Sequence, residues 1–227
     1  IYYHHRHGMN VPRIMESATK SLSHYSATYS PYPFRQLRIV EFPGYRRFAQ
    51  SFSTTIPFSE AANFTEDLTD ESTVDRVFFI TSHEIAHQWF GHQVTPASVQ
   101  GAEMIGESLT QYSAFMVMEK DYGPDRMKRF LRYELDSYLT GRSRELREEM
   151  PLMLTEEQGY IHYNKGGMVL YAMRDYLGAD VMNGVLRDYV EKTAYVGPPY
   201  TNTLEFMSIL RPAVPEQYSY LIEDMFE

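Results

Sequence analysis

Two histidines and a glutamate form the pattern His-Glu-x-x-His at residues 83–87 of this 227-residue chain. Because each residue advances about 100° around an α-helix, His83 and His87 lie about 40° apart on one face. Their imidazoles can reach a single zinc ion, and Glu84 can take a proton from a water on that ion. The pattern therefore predicts a zinc hydrolase, and in particular a peptidase.

The residues around this motif favour a helix that is buried on nearly all sides. Apolar side chains flank the motif, and Ser72 followed by Asp75 indicates a helix start of the capping-box type. Gly91 can end the helix. Polar side chains on a buried helix need partners, and a metal ion would satisfy both histidines and the glutamate. The context favours a metal site over a chance match on an exposed helix.

A zinc peptidase needs a third protein ligand, and two glutamates follow near the start of another predicted helix. Glu103 and Glu107 lie one helical turn apart, so either carboxylate can reach the metal from a helix packed against the first. The alternative is that both are solvated acids favoured by the helix dipole. Further along, the hydroxyl of Tyr163 can donate a hydrogen bond to the oxyanion of a tetrahedral intermediate.

These segments resemble the gluzincin metallopeptidases of the aminopeptidase N family. Residues 83–91 and 94–97 match the region of the family's zinc-binding motif, and residues 106–112 match its Asn-Glu-Gly-Phe-Ala-Thr-Tyr segment. Residues 163–166 read Tyr-Asn-Lys-Gly and resemble the family's Tyr-Glu-Lys-Gly. The resemblance implies a thermolysin-like zincin that hydrolyses peptide bonds, with aminopeptidase-type specificity.

The resemblance also implies the role of each residue. It makes His83, His87 and Glu107 the ligands of one zinc ion. It makes Glu84 the general base, and it makes Tyr163 the residue that stabilises the transition state.

The chain departs from the family pattern in three places. Nineteen residues, positions 88 to 106, separate His87 from Glu107, which is one more than in the family and keeps Glu103 as a weaker candidate ligand. His92 replaces the usual asparagine. The family's Gly-x-Met-Glu-Asn motif retains only a glutamate, at Glu60, which the resemblance makes the acceptor of the substrate's free α-amino group.

A narrower likeness covers the whole chain, which resembles the peptidase-like domain of bacterial proteins that join an ABC-type permease to such a unit. Residues 48–52, 92–94 and 99–102 carry that likeness. It implies a bacterial protein attached to a membrane through a permease domain of its parent chain. Two alternatives follow: a catalytically weak or inactive zinc-containing module that binds peptide or regulates a transporter, and a zinc hydrolase with a non-peptide substrate such as an epoxide.

Composition narrows these functions further. The net charge of −9 argues against a nucleic-acid partner, because phosphate binding needs a cationic face. The chain has no cysteine, so histidines and carboxylates must hold any zinc. No apolar run approaches the roughly 20 residues that cross a bilayer. The chain begins with Ile1 and shows no signal peptide, so we expect a domain excised from a larger protein.

Periodicity and helix punctuation predict an α+β fold over residues 1–227 as a single catalytic domain. Residues up to about 70 form its β-containing part, with a helix near 11–29 and extended segments at 37–42 and 48–57. The second of these segments is expected at an edge beside the metal, where a substrate backbone can dock. The helical part, about 71–227, has predicted helices near 74–91, 104–121, 124–139, 163–177, 179–192, 202–210 and 215–226.

Three histidines, His4, His5 and His7, cluster near the start of the chain. They can bind a metal, but a polar terminal segment with solvated histidines is the more common arrangement. We therefore expect a solvated edge or a segment that joins domains.

Overall fold

The computed structural model describes residues 1–70 and 74–227. Two strands, β1 (Arg38–Phe42) and β2 (Thr55–Ser59), pair in parallel, with Ile39 opposite Ile56. The α-helices of the described residues are α1 (Val11–Thr28), α2 (Arg76–Ala86), α3 (Leu109–Tyr122), α4 (Pro124–Arg144), α5 (Gly166–Leu177), α6 (Ala179–Thr193), α7 (Thr203–Ala213) and α8 (Tyr220–Phe226). Both strands lie in the front part of the chain, and the predicted α+β class is confirmed.

The motif helix α2 begins as its sequence predicts but ends earlier. The Asp75 side chain accepts a hydrogen bond from the Phe78 backbone at 2.8 Å and caps the helix, whereas Ser72 lies outside the described residues. The helix was expected to continue to Gly91. It ends at Ala86 because the next residues close a tighter turn, in which the backbone N–H of Gln88 donates to the carbonyl of Ile85.

A turn divides the second extended segment, so the prediction of one continuous extended segment over residues 48–57 is wrong. Ala49 forms a bridge with Phe58, and Phe52 forms one with Thr55. Between the two halves of this hairpin, Thr54 has a φ of 62°. The hairpin folds residues 49–52 back along β2, and this local reversal leaves no signal in the alternation of apolar residues.

The helix α2 lies at the centre of the core, between α1 and α3. Three buried side chains of α1 hydrogen-bond to it: Ser17 donates to the carbonyl of Phe78 at 2.7 Å, while Ser21 and Tyr25 bond Ser82. Trp89 and Phe90, which follow α2, are fully buried. Across the described residues, no helix has both the length and the apolar character to span a bilayer.

The helices α3 and α5 approach each other at two glycines. A Cβ atom on Gly166 would lie 2.1 Å from the Ser108 hydroxyl, and one on Gly167 would lie 2.7 Å from Gln111. The helix predicted near 124–139 continues to Arg144 as α4, and Gly141 lies within it, where a Cβ atom would lie 2.4 Å from that of Tyr160. These glycines permit close packing, which brings the start of α5 against α3 and the residues just before it.

Candidate active site

Three side chains from α2 and the segment before α3 converge on one point. The Nε2 atoms of His83 and His87 lie 3.2 and 3.4 Å from one carboxylate oxygen, Oε2 of Glu107. The ligand atoms of the three residues all lie within 4.8 Å of one another. Glu107 belongs to a π-helical turn, Met104–Ser108, that runs directly into α3. A π turn contains one residue more than an α turn, so it can take up the extra residue in the spacing.

The donor set of this cluster fits a zinc ion. Glu107 Oε2 and His83 Nδ1 are buried and have no hydrogen-bond partner among the described residues, so neither imidazole contact has hydrogen-bond geometry. Two imidazole nitrogens and one carboxylate oxygen, with room for a fourth ligand, are a common catalytic zinc site. His87 Nδ1 bonds the carbonyl of Phe90 at 3.0 Å, which orients the ring with Nε2 toward the cluster.

The imidazoles and the carboxylate of this cluster shift one another's pKa. Burial alone would raise the pKa of Glu107, but His83 and His87 outweigh burial and hold it well below its usual range. Burial would lower the pKa of His87, whereas the carboxylate of Glu107 raises it to about 9. The cluster therefore favours a cation beside the carboxylate, a role that a bound metal ion fills more completely than a proton.

The structure distinguishes the two glutamates that competed for the third ligand position. Glu107 joins the histidines, whereas half-buried Glu103 lines another cavity together with Glu156 and Glu157. Burial, followed by repulsion from Glu107, raises the pKa of Glu103. The geometry therefore brings Glu107, and not Glu103, to the two histidines.

Glu84 and Tyr163 line one cavity of about 350 Å³ beside His83. Burial raises the pKa of Glu84, and the two histidines oppose that shift. Burial and the charge of Glu107 raise the pKa of Tyr163 far above its usual value, so its hydroxyl keeps its proton. A carboxylate that can accept a proton and a hydroxyl that can donate a hydrogen bond therefore face the same space.

The π-helical turn Tyr160–Lys165 positions Tyr163 immediately before α5. The ring of Tyr163 lies 5.9 Å from that of His83 and 4.6 Å from that of His162, measured between centroids. Ser108 donates a hydrogen bond to the carbonyl of His162 at 2.7 Å. This bond ties the turn that carries Tyr163 to the turn that carries Glu107.

Glu60, the predicted acceptor of the substrate's α-amino group, is not among the residues that line this cavity. Its Oε1 accepts a hydrogen bond from the backbone of Gly44 at 2.9 Å, and its Oε2 lies 3.6 Å from His7 Nδ1. It belongs to the π-helical turn Glu60–Phe64 directly after β2. In that position its carboxylate contacts Gly44 and also His7 of the N-terminal segment.

Residues that the motifs did not indicate hold the edge segment beside Glu84. The Gln88 side chain donates to the Ser51 hydroxyl at 2.8 Å and to the carbonyl of Phe52 at 2.9 Å. His92 Nε2 bonds the carbonyl of Ser51 at 3.2 Å, which gives its substitution for asparagine a structural role. Ala49, in the same segment, lines the cavity. The predicted docking edge therefore lies at the site, as one arm of a hairpin.

A second polar network lines the far side of the cavity. The Oε2 atom of buried Glu134 accepts hydrogen bonds from Asn164 at 2.7 Å and from Gln111 at 3.2 Å. Burial raises the pKa of Glu134. In the sequence Glu134 occupies one of the otherwise apolar positions on the buried face of a helix. A charged residue at such a position could have indicated a buried polar network.

Comparison with known proteins decides the family. The model of the peptidase family M1 domain matches residues 13–219, which is most of the chain. This chain belongs to peptidase family M1. The prediction of an aminopeptidase N-type gluzincin is thereby confirmed, and zinc is the cofactor that the family and the donor set indicate.

Several aminopeptidases are similar to this M1 domain along much of its length. Endoplasmic reticulum aminopeptidase 1 of Rattus norvegicus is 25% identical over 193 residues, which are 80% of this chain and 20% of the relative. Probable aminopeptidase 1 of Sulfurisphaera tokodaii is 25% identical over 186 residues, 78% of this chain and 24% of the relative. The chain thus spans about a fifth to a quarter of the length of these relatives.

Solved structures show the same fold. The M1 zinc metallopeptidase from Deinococcus radiodurans superposes with a TM-score of 0.69 at 18% identity, covering 93% of this chain and 44% of that one. A mutant of the same enzyme, bound to a Tyr-Ser-Ala substrate, superposes with a TM-score of 0.65 at 18% identity. That superposition covers 96% of this chain and 44% of the mutant.

Proposed function

We propose that this M1 domain hydrolyses peptide bonds, with His83, His87 and Glu107 as the ligands of one zinc ion. The observation that carries the proposal is the convergence of the two Nε2 atoms on one oxygen of Glu107, beside a cavity that Glu84 and Tyr163 line. When bound, zinc acts as a Lewis acid and lowers the pKa of water toward about 7.

Residues of the chain would carry out the proton transfer, stabilise the oxyanion and bind the substrate backbone. Glu84 accepts a proton from the attacking water and delivers it to the leaving amine, because its carboxylate lies in the cavity between the histidines and the edge segment. Tyr163 donates a hydrogen bond to the carbonyl oxygen as negative charge develops on it. The edge segment around Ala49 offers its backbone to an extended peptide.

Replacement of the base tests this assignment. We expect Glu84→Gln to retain zinc and to lower kcat by about 100-fold or more, because an amide cannot accept the proton. Zinc content by atomic emission and peptide turnover should be measured on the same preparation. The control is Glu103→Gln, which removes an acid from a neighbouring cavity. Parental turnover in Glu84→Gln would contradict the assignment.

We propose aminopeptidase-type specificity because the proteins similar in sequence to this chain are aminopeptidases. The predicted acceptor of the substrate's amine, Glu60, has other partners, so its placement does not support that specificity. Free peptides should be hydrolysed faster than their N-acetylated forms if the specificity holds. Equal rates on both would leave zinc-dependent peptide hydrolysis intact and contradict the exopeptidase assignment.

The wider context of the chain remains a prediction of its sequence resemblance. That resemblance alone suggests a bacterial parent protein with an ABC-type permease domain that attaches it to a membrane. The peptide-binding or transporter-regulating alternative has no further support in the comparisons. Turnover of a peptide library by zinc-loaded protein separates a peptidase from a binding module.

A further inference from the structure

We propose that His7, Glu41 and Glu60 form a second divalent-metal site that fastens the N-terminal segment to the sheet. Their ligand atoms, His7 Nδ1 and one oxygen of each carboxylate, all lie within 4.8 Å of one another. The three residues come from three segments: the N-terminal segment, β1, and the turn after β2. A cation there would join segments that are far apart in the chain.

One of the two contacts of His7 has the spacing of two ligands on one metal ion, and the other is a direct hydrogen bond. His7 Nδ1 lies 3.6 Å from Glu60 Oε2, and it contacts Glu41 Oε1 directly. Two ligands of a tetrahedral zinc ion, with bonds of about 2.0–2.1 Å, lie roughly 3.3 Å apart. A cation at this site requires the Glu41 carboxylate to move back from His7, because their direct contact leaves no room between the two atoms.

Backbone donors fix the orientation of both carboxylates. The remaining oxygen of Glu41 accepts a hydrogen bond from the backbone of His4, and the remaining oxygen of Glu60 accepts one from Gly44 at 2.9 Å. A Cβ atom on residue 44 would lie 3.0 Å from that Glu60 oxygen, so glycine permits the approach. Each carboxylate thus turns one fixed oxygen toward His7, as metal-binding carboxylates do when outer donors hold them.

The charge of the cluster calls for a cation. Among the residues that the structure describes, no arginine or lysine nitrogen lies within 4.0 Å of either carboxylate, and His7 is the basic partner of both. Two carboxylates and one imidazole suit Zn²⁺ or a similar transition metal better than Mg²⁺ or Ca²⁺, which favour oxygen ligands alone. The competing explanation is that His7 and Glu41 form only a hydrogen bond, with no metal between them.

A third feature indicates what the metal would do. The N-terminal segment already runs beside β1, where Tyr2 donates its backbone N–H to the carbonyl of Ile39 at 2.8 Å and accepts from Glu41 at 2.9 Å. His4 lines the same cavity, with its ring centroid 4.9 Å from that of His7, and can supply another imidazole. The bound cation would therefore have a structural role and would hold the first residues of the chain against β1.

Zinc stoichiometry tests the proposal independently of catalysis. The protein, purified without a histidine tag and stripped with a chelator, should be dialysed to equilibrium against micromolar free Zn²⁺ and analysed by atomic emission. We expect two zinc ions per chain in the parent, one in His7→Gln and in Glu60→Gln, and two in the control His5→Gln. Circular dichroism verifies that each variant is folded.

Variants of the first cluster separate the two sites. His83→Ala should retain one zinc ion, and the double variant His7→Gln, His83→Ala should bind none. One zinc ion per chain in the parent, unchanged in His7→Gln and Glu60→Gln, would overturn the proposal. That outcome would leave the catalytic site standing if His83→Ala lost the single ion.

Discussion

At the scale of single residues, the account depends on which carboxylate completes the zinc site. Glu107 Oε2 is buried without a hydrogen-bond partner among the described residues and lies between two imidazoles. Glu103, one turn earlier, faces a different cavity. A buried, unpartnered acceptor costs free energy unless a cation binds it, so this oxygen is better explained as a ligand than as a packing residue.

This difference between the two glutamates is measurable. We expect Glu107→Gln to weaken zinc binding by more than about 100-fold, because loss of an outer partner of a ligand alone costs about 10–100-fold. Glu103→Gln should keep the parental zinc affinity. Competition with a chromogenic chelator gives both dissociation constants. Equal affinities for the two variants would remove Glu107 from the site.

The residues of the metal cluster were accessible to prediction because their spacing is local. His83 lies in the last turn of α2 and His87 is the C-cap of that helix with helical backbone angles, so the helix geometry fixes their relation. The place of Glu60 depends instead on contacts with Gly44 and His7, which are 16 and 53 positions away in the sequence. The position of Glu60 upstream of the motif in the sequence does not indicate the direction in which its side chain extends.

At the scale of elements, packing between α3 and α5 places Tyr163 beside His83 and the cluster around Glu107. Gly166 starts α5 immediately after the turn that holds Tyr163, and it faces Ser108 next to Glu107. The two π-helical turns therefore meet at a point where only a hydrogen atom fits. This contact links the position of the proposed transition-state donor to that of the third ligand.

Substitution of this glycine should disturb both turns. We expect Gly166→Ala to lower the free energy of unfolding by about 1–3 kcal/mol, the usual cost of overpacking, and to lower kcat through displacement of Tyr163. In Gly184→Ala the added methyl group meets no atom within 4 Å, so that α6 variant should be as stable as the parent or more so. Urea unfolding of both variants tests this, and equal losses would contradict it.

Helix positions were more predictable than the ends of α2 or the hairpin. Caps and apolar spacing gave α1, α3, α5, α6 and α7 within a few residues, because these signals are local. The early end of α2 depends on the turn after Ala86. The reversal near Thr54 depends on the hydrogen bond that the Thr54 backbone N–H donates to the side chain of Gln88. A local backbone turn ends the helix and a tertiary hydrogen bond holds the reversal, and apolar periodicity records neither feature.

At the scale of the whole molecule, the α+β class and the M1 family are established, and the chain is far shorter than its curated relatives. The family match covers residues 13–219, whereas the curated relatives are about four to five times as long as the stretch they share. Substrate choice by the complete protein therefore remains a proposal.

Anomalous diffraction at the zinc edge, on crystals of zinc-loaded protein, tests the central claim most directly. We predict a peak within about 2.0–2.2 Å of the Nε2 atoms of His83 and His87 and of a carboxylate oxygen of Glu107. A peak that contacts both imidazoles but no oxygen of Glu107, or the absence of any peak between the two histidines, would contradict the account.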